Sequence, residues 1–266
     1  RVHAGQLQVE KMALNRRLQS ADSRDTLIRR AEEITPLPAK PGKDVYTMNW
    51  IVNQHSYTAQ RVFCIGRNYV EHIAELGNER PEQPVIFTKP ATSLHPVSDP
   101  VIPLPRCGEL PHYETEITVL VGKKGVPRTA EEAVSFIAGI GAGLDLTLRE
   151  TQEKLLAHGL PWEICKGFDH SAPIGDFAPF SGTAETLAQL RFTGEINGEL
   201  RQQGDSAKMI YSIPELLLAV ARYWELLPGD VLFTGTPKGV GALAPGDRLR
   251  ITDPAGRAFE WRLAER

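Results

Sequence analysis

From residue 61 onward, short apolar or alternating runs are separated by turn residues, a texture that predicts strands over 61–65, 84–88, 114–121, 136–145, 190–196, 231–234 and 247–252. Helical spacing is rarer. It predicts helices over 68–77, over 129–135 behind Thr129, over 147–158 after Asp145, and over 214–226, where Pro214 suits a first turn. Asn197-Gly198, Pro228-Gly229-Asp230, Pro245-Gly246-Asp247 and Asp253-Pro254-Ala255-Gly256 are the strongest turn signals. Strands that come in groups, without a regular βα alternation, point to an α+β fold rather than a doubly wound sheet. There is no internal repeat and no low-complexity tract.

The first 47 residues have a different pattern. Leu7, Met12, Leu14, Leu18, Leu27 and Ile28 are loosely spaced for a surface helix or two between Gln6 and Ile34, and a Pro-rich connector, Pro36 to Gly42, follows. There is no apolar signal-peptide core, and the acidic residues argue against a mitochondrial-type presequence. Residues 1–47 are therefore expected to be an N-terminal extension, peripheral or artificially appended, with residues 48–266 as the catalytic domain.

Composition narrows the function class. A chain of 266 residues with 41% hydrophobic content can bury a substantial core, and a net charge of −3 offers no basic field for nucleic acid or anionic lipid. No apolar run approaches the roughly 18 residues needed to span a bilayer. Cys64, Cys107 and Cys165 are odd in number and lack CxxC spacing, which suits a reducing compartment, with cytoplasm the default. A small-molecule partner is expected.

The candidate chemistry centres on Glu114 and Glu116. On a strand, residues i and i+2 share a face, so the two carboxylates point the same way. At about 5 Å and an effective dielectric near 20 they repel by roughly 3 kcal/mol, which favours a cation between them. Asp145 ends the small-residue run Ile137 to Leu144 and supplies a third acid, and oxygen-only ligation suits Mg²⁺ or Mn²⁺ better than zinc. His72 and Glu75, three apart, are neighbours on a helical face and can form a general base with its orienting carboxylate. Lys166 sits among bulky apolar residues after a segment carrying Arg149 and Gln152, and Thr234 to Gly241 is a Gly-rich loop able to hold an anion on its N–H groups. Each signal alone also has a plain reading: a solvated strand face, a surface ion pair, a snorkelling lysine, a tight turn.

In combination these stretches are similar to the fumarylacetoacetate hydrolase superfamily, most closely its short acylpyruvase and oxaloacetate decarboxylase branch. The resemblance runs from about residue 60 to 263 through GRNYVEH, FTKP, HYETEI, GLDLTLRE, GLPWEICKGFD, NGELRQQGDSAKMIYSIPELL and TGTPKGVG. It implies a β-rich mixed roll, usually a homodimer, holding one Mg²⁺ or Mn²⁺ ion. It implies Glu114, Glu116 and Asp145 as metal ligands, His72 and Glu75 as the water-activating pair, and Lys166 as the anion-binding lysine. Arg67, Arg149, Gln152 and Thr236 would bind substrate, Thr236 less firmly because Thr234 can face the same pocket. The implied activity is hydrolysis of the C–C bond in acylpyruvates such as acetylpyruvate or fumarylpyruvate, with oxaloacetate decarboxylation second. Isomerisation or decarboxylation of 2-hydroxyhepta-2,4-diene-1,7-dioate-type compounds and oxaloacetate tautomerisation are alternatives that share the site. A dicarboxylate-binding module is the non-enzymatic alternative.

Overall fold

A computed structural model of the chain describes residues 47–75 and 80–265. In chain order the first strands are β1 (Asn49–Val52), β2 (His55–Thr58), β3 (Val62–Gly66), β4 (Val85–Lys89), β5 (Leu94–Pro96), β6 (Val101–Ile102), β7 (His112–Tyr113), β8 (Thr115–Val121) and β9 (Ile137–Leu144). They are followed by β10 (Ala172–Ile174), β11 (Ala178–Pro179), β12 (Arg191–Ile196), β13 (Glu199–Asp205), β14 (Val231–Phe233), β15 (Gly241–Ala242), β16 (Arg248–Thr252) and β17 (Ala258–Leu263). Between them lie helices α1 (Val70–Glu75), α2 (Ala130–Val134), α3 (Arg149–Ala157), α4 (Glu163–Lys166), α5 (Ala184–Leu187) and α6 (Ile213–Ala221).

The larger sheet runs β4-β3-β14-β8-β9-β10-β5, with β11 also pairing with β9. It is mixed: β3 with β14 and β5 with β10 are parallel, and the other pairs are antiparallel. A second sheet runs β13-β12-β16-β17-β6, and β1-β2 and β7-β15 form two-stranded ribbons. The expected β-rich α+β class is what the chain adopts. The expected extension over residues 1–47 and its surface helices lie outside the described residues, apart from Thr47.

β8 is buried along its whole length because both of its faces are covered. Ile117, Val119 and Val121 pack with Leu216, Leu217 and Val220 of α6, while Leu120 packs with Val62, Ile174 and Phe233 on the other side. Thr115, Glu116 and Thr118 interrupt its apolar residues, so burial of both faces is not legible as a continuous apolar run. The glycines of β9 allow the close approach expected of them. A Cβ on Gly143 would meet the Phe233 ring and the Pro173 carbonyl at 2.9 Å, so Gly143→Val should displace both and cost about 2–3 kcal/mol, readable by urea denaturation.

α6 starts where Pro214 predicts. Ser212 and Glu215 form its capping box, with the Ser212 N–H donating to Glu215 Oε2 at 2.7 Å. It ends at Ala221 rather than running on to 226, and Trp224 turns back so that its ring lies 5.3 Å from that of Phe63.

Candidate metal centre

The pairing of β8 with β9 brings the three acids together. Glu116 lies opposite Gly143 and Thr115 opposite Leu144, and the next step along the ladder sets Asp145 beside Glu114, with the Asp145 N–H donating to the Glu114 carbonyl at 2.8 Å. One oxygen from each of Glu114, Glu116 and Asp145 lies within 4.8 Å of the other two, and all three residues are buried. The solvated-face reading of the ExE run is thereby corrected, because α6 on one face and Trp50, Val52 and Phe177 on the other leave β8 no exposed side.

The cations around this cluster are unevenly shared. Lys166, on α4, donates to Glu114 Oε2 at 2.8 Å, Asp145 Oδ2 at 2.7 Å and Thr147 Oγ1 at 2.6 Å. Lys89 lies 2.8 Å from Asp145 Oδ1, and Arg149 pairs with Glu114. Glu116 faces no such cation, and its Oε2 accepts the Gly235 N–H at 2.7 Å. Burial alone would raise the Glu114 carboxyl, but Lys166 and Arg149 overcome it and hold the group well below the usual carboxylate range. Glu116 goes the other way: burial, then Asp145 and Glu114, push it well above that range. Burial opposes the charge of Lys166, yet Asp145 and Glu114 prevail and raise it. The lysine is 3% exposed, so the snorkelling reading is also corrected: its acids lie far away in sequence and were invisible to a local pattern.

The donor set fits a hard divalent ion. It offers only oxygens, and among the described residues Glu116 makes no ion pair. A proton competes for that oxygen, so Mn²⁺ binding should release close to one proton per ion while Glu116 is still protonated, and affinity should climb with pH until its raised pKa is passed. Calorimetry in two buffers of different ionisation enthalpy reads this directly; proton uptake would contradict it. In the ion-free protein a raised carboxyl favours folding at acid pH and loses that contribution as pH rises through the folded-state value.

His72 is buried on α1, with Nδ1 3.2 Å from Glu75 Oε2. Glu75 in turn accepts the Gly239 N–H at 3.0 and 3.2 Å, which ties α1 to the Gly-rich loop. His72 lines the cleft, while Glu75 stands behind it at the exposed edge, so only the imidazole half of the pair is withdrawn from the surface. His72, Arg67, Arg149, Gln152, Lys166 and Thr236 line one small cleft with the three acids. Arg149 opens α3 and donates to Gln152 one turn later. Thr236 Oγ1 donates to the Thr115 carbonyl at 2.9 Å and accepts from Gln202, whereas Thr234 turns inward to the Ile117 carbonyl and does not line the cleft. Thr234 as an alternative to Thr236 is corrected on that ground.

Sequence reasoning missed Lys89, Thr147 and Gln202. It also missed the apolar wall of Ile65, Phe87, Leu156 and Trp162. Lys89 and Gln202 fall inside the stretches FTKP and NGELRQQGD, but neither has a local spacing that signals a role.

The family model described as fumarylacetoacetate (FAA) hydrolase C-terminal matches residues 61–256. Oxaloacetate tautomerase YcgM of Escherichia coli is 40% identical over 204 residues, covering 77% of this chain and 93% of that protein. The mitochondrial oxaloacetate tautomerase FAHD1 of Mus musculus is 38% identical over 190 residues, covering 71% of this chain and 85% of its own. Among solved structures, fumarylpyruvate hydrolase from Pseudomonas aeruginosa in complex with Mn²⁺ and pyruvate superposes with a TM-score of 0.77 at 33% identity, covering 85% of this chain and all of that one.

Proposed function

This chain belongs to the fumarylacetoacetate hydrolase family, and from that premise we propose that it is a divalent-metal-dependent enzyme of small 2-oxo acids whose main activity is enol–keto tautomerisation of oxaloacetate. The observation that carries the reading is a cluster of three buried acids sharing one cleft with His72, whose Nδ1 lies beside Glu75. The E. coli and mouse relatives move tautomerisation ahead of the acylpyruvate hydrolysis that the sequence pattern ranks first.

An ion held by Glu114, Glu116 and Asp145 would supply Lewis acidity toward the carboxylate and keto oxygens of a 2-oxo acid. The chain's own residues do the rest. Arg149, Gln152 and Lys166 bind and orient the carboxylate end. Glu75 accepts from His72 Nδ1, which leaves Nε2 free to take a proton from C3 of the keto form and to return it to the enol. In the second reading the same Nε2 draws a proton from water aimed at the distal acyl carbonyl, giving pyruvate and a carboxylic acid; the likeness to the P. aeruginosa hydrolase supports it. Mg²⁺ or Mn²⁺ as the ion and a homodimer as the assembly belong to the same proposal, the latter checked by light scattering.

The test follows the ultraviolet loss of enol oxaloacetate, and of acetylpyruvate, with Mg²⁺ and with EDTA. Metal-dependent acceleration of either supports the reading, and none on any 2-oxo acid would leave only a binding module. His72→Ala should lower tautomerisation and hydrolysis about 10²–10³-fold, lower decarboxylation far less because loss of CO₂ needs no base at C3, and leave Mn²⁺ affinity intact. Equal damage to all three reactions would contradict the role of His72.

A further inference from the structure

We infer that Arg67 binds the distal carboxylate of the substrate, so that the site selects 2-oxo dicarboxylates over 2-oxo acids with a neutral distal group; this deepens the 2-oxo acid reading and rests on it. Arg67 directly follows β3 and lines the cleft, half-buried. The other cations there are engaged: Lys89 and Lys166 with Asp145, Lys166 and Arg149 with Glu114. Among the described residues the Arg67 guanidinium has no hydrogen bond and no ion pair. A fork of five N–H donors with no partner among the described residues matches a planar carboxylate.

The backbone presents this side chain deliberately. Arg67 has a φ of 60°, in the left-handed region that non-glycine residues seldom occupy and that clusters at ligand clamps. Asn68 holds the turn there. Its Nδ2 donates to the Thr234 and Tyr211 carbonyls at 2.9 and 3.1 Å, its Oδ1 accepts the Tyr211 N–H at 2.9 Å, and its carbonyl accepts the Ile210 N–H at 2.8 Å. Gly235, with a φ of 98°, makes room, since a Cβ there would meet Asn68 Cβ at 2.7 Å.

Charge balance points the same way. Among the cleft-lining residues Glu114, Glu116 and Asp145, in their ionised forms, offset Arg67, Arg149 and Lys166. A divalent ion then leaves two positive charges, which a dianionic 2-oxo dicarboxylate cancels and a monoanionic acylpyruvate does not. The cleft's apolar residues Ile65, Phe87, Leu156 and Trp162 offer no competing partner for the second carboxylate.

The experiment compares kcat/KM for oxaloacetate and acetylpyruvate in wild type, Arg67→Gln and Arg67→Lys, with Mn²⁺ affinity read by electron paramagnetic resonance. The oxaloacetate-to-acetylpyruvate ratio should fall about 30-fold in Arg67→Gln and recover in part in Arg67→Lys, with Mn²⁺ affinity unchanged. A ratio is insensitive to how much of the variant folds. A shift of less than about threefold in a wild-type background that converts oxaloacetate overturns the assignment alone. Wild type that neither converts nor binds either compound removes the 2-oxo acid reading and this assignment together.

Discussion

Glu116→Gln should lower Mn²⁺ affinity at least about 100-fold and remove metal-dependent turnover at ordinary ion concentrations. Glu114 divides its charge between Lys166 and Arg149, and Asp145 divides its own between Lys166 and Lys89, so each gives an ion less than a full negative charge. Among the described residues Glu116 makes no ion pair, and its Oε2 accepts the Gly235 N–H, a bond that glutamine Oε1 can also accept. The same change should stabilise the ion-free protein by about 1 kcal/mol, because it removes a carboxyl that burial, then Asp145 and Glu114, hinder from ionising. A thermal-shift titration reads both effects. The variant should start higher than wild type and respond little to Mn²⁺; an unaltered Mn²⁺ response would contradict the ligand role.

Lys89→Met should cost about 3–5 kcal/mol, a fall of roughly 10 °C in Tm for a chain of this size. The ammonium, fully buried at the end of β4, pairs with Asp145 Oδ1 and donates to Ser171 Oγ at 3.0 Å and the Ser171 carbonyl at 3.1 Å. It also reaches the Leu146 carbonyl at 3.3 Å and the Lys166 carbonyl. It thus gathers the segments on either side of α4 onto β4, much as a bound monovalent cation would. Methionine keeps the stem and leaves these acceptors without a donor and Asp145 without one of its cations. Urea denaturation of the two proteins checks the figure, and a loss below about 1 kcal/mol would mean that Lys89 contributes no more than packing.

What could be read from sequence followed the range of each signal. The strand pattern over 114–121, the glycines of β9 and the Pro214 start of α6 are local patterns with one physical meaning, and all three appear where they were expected. β13 was missed because Glu199–Asp205 is polar and mostly exposed, an outer strand with little to bury. The β1–β2 hairpin was missed because its turn uses Asn53 and Gln54 at φ of 49° and 65°, with no glycine to announce it. Within the site, Glu114 and Glu116 could be read because two residues on one strand share a face. The burial of Lys166 could not, since it depends on partners that the sheet brings in from 21 and 52 residues away.

The most direct trial of the account is to titrate metal-stripped protein with Mn²⁺ while following bound ion and oxaloacetate tautomerisation in the same samples. One ion per chain should bind, with activity rising in step and EDTA reversing both. Full activity in EDTA, or saturating Mn²⁺ bound with no gain in turnover, would contradict the claim that three buried acids hold the ion on which the reaction depends.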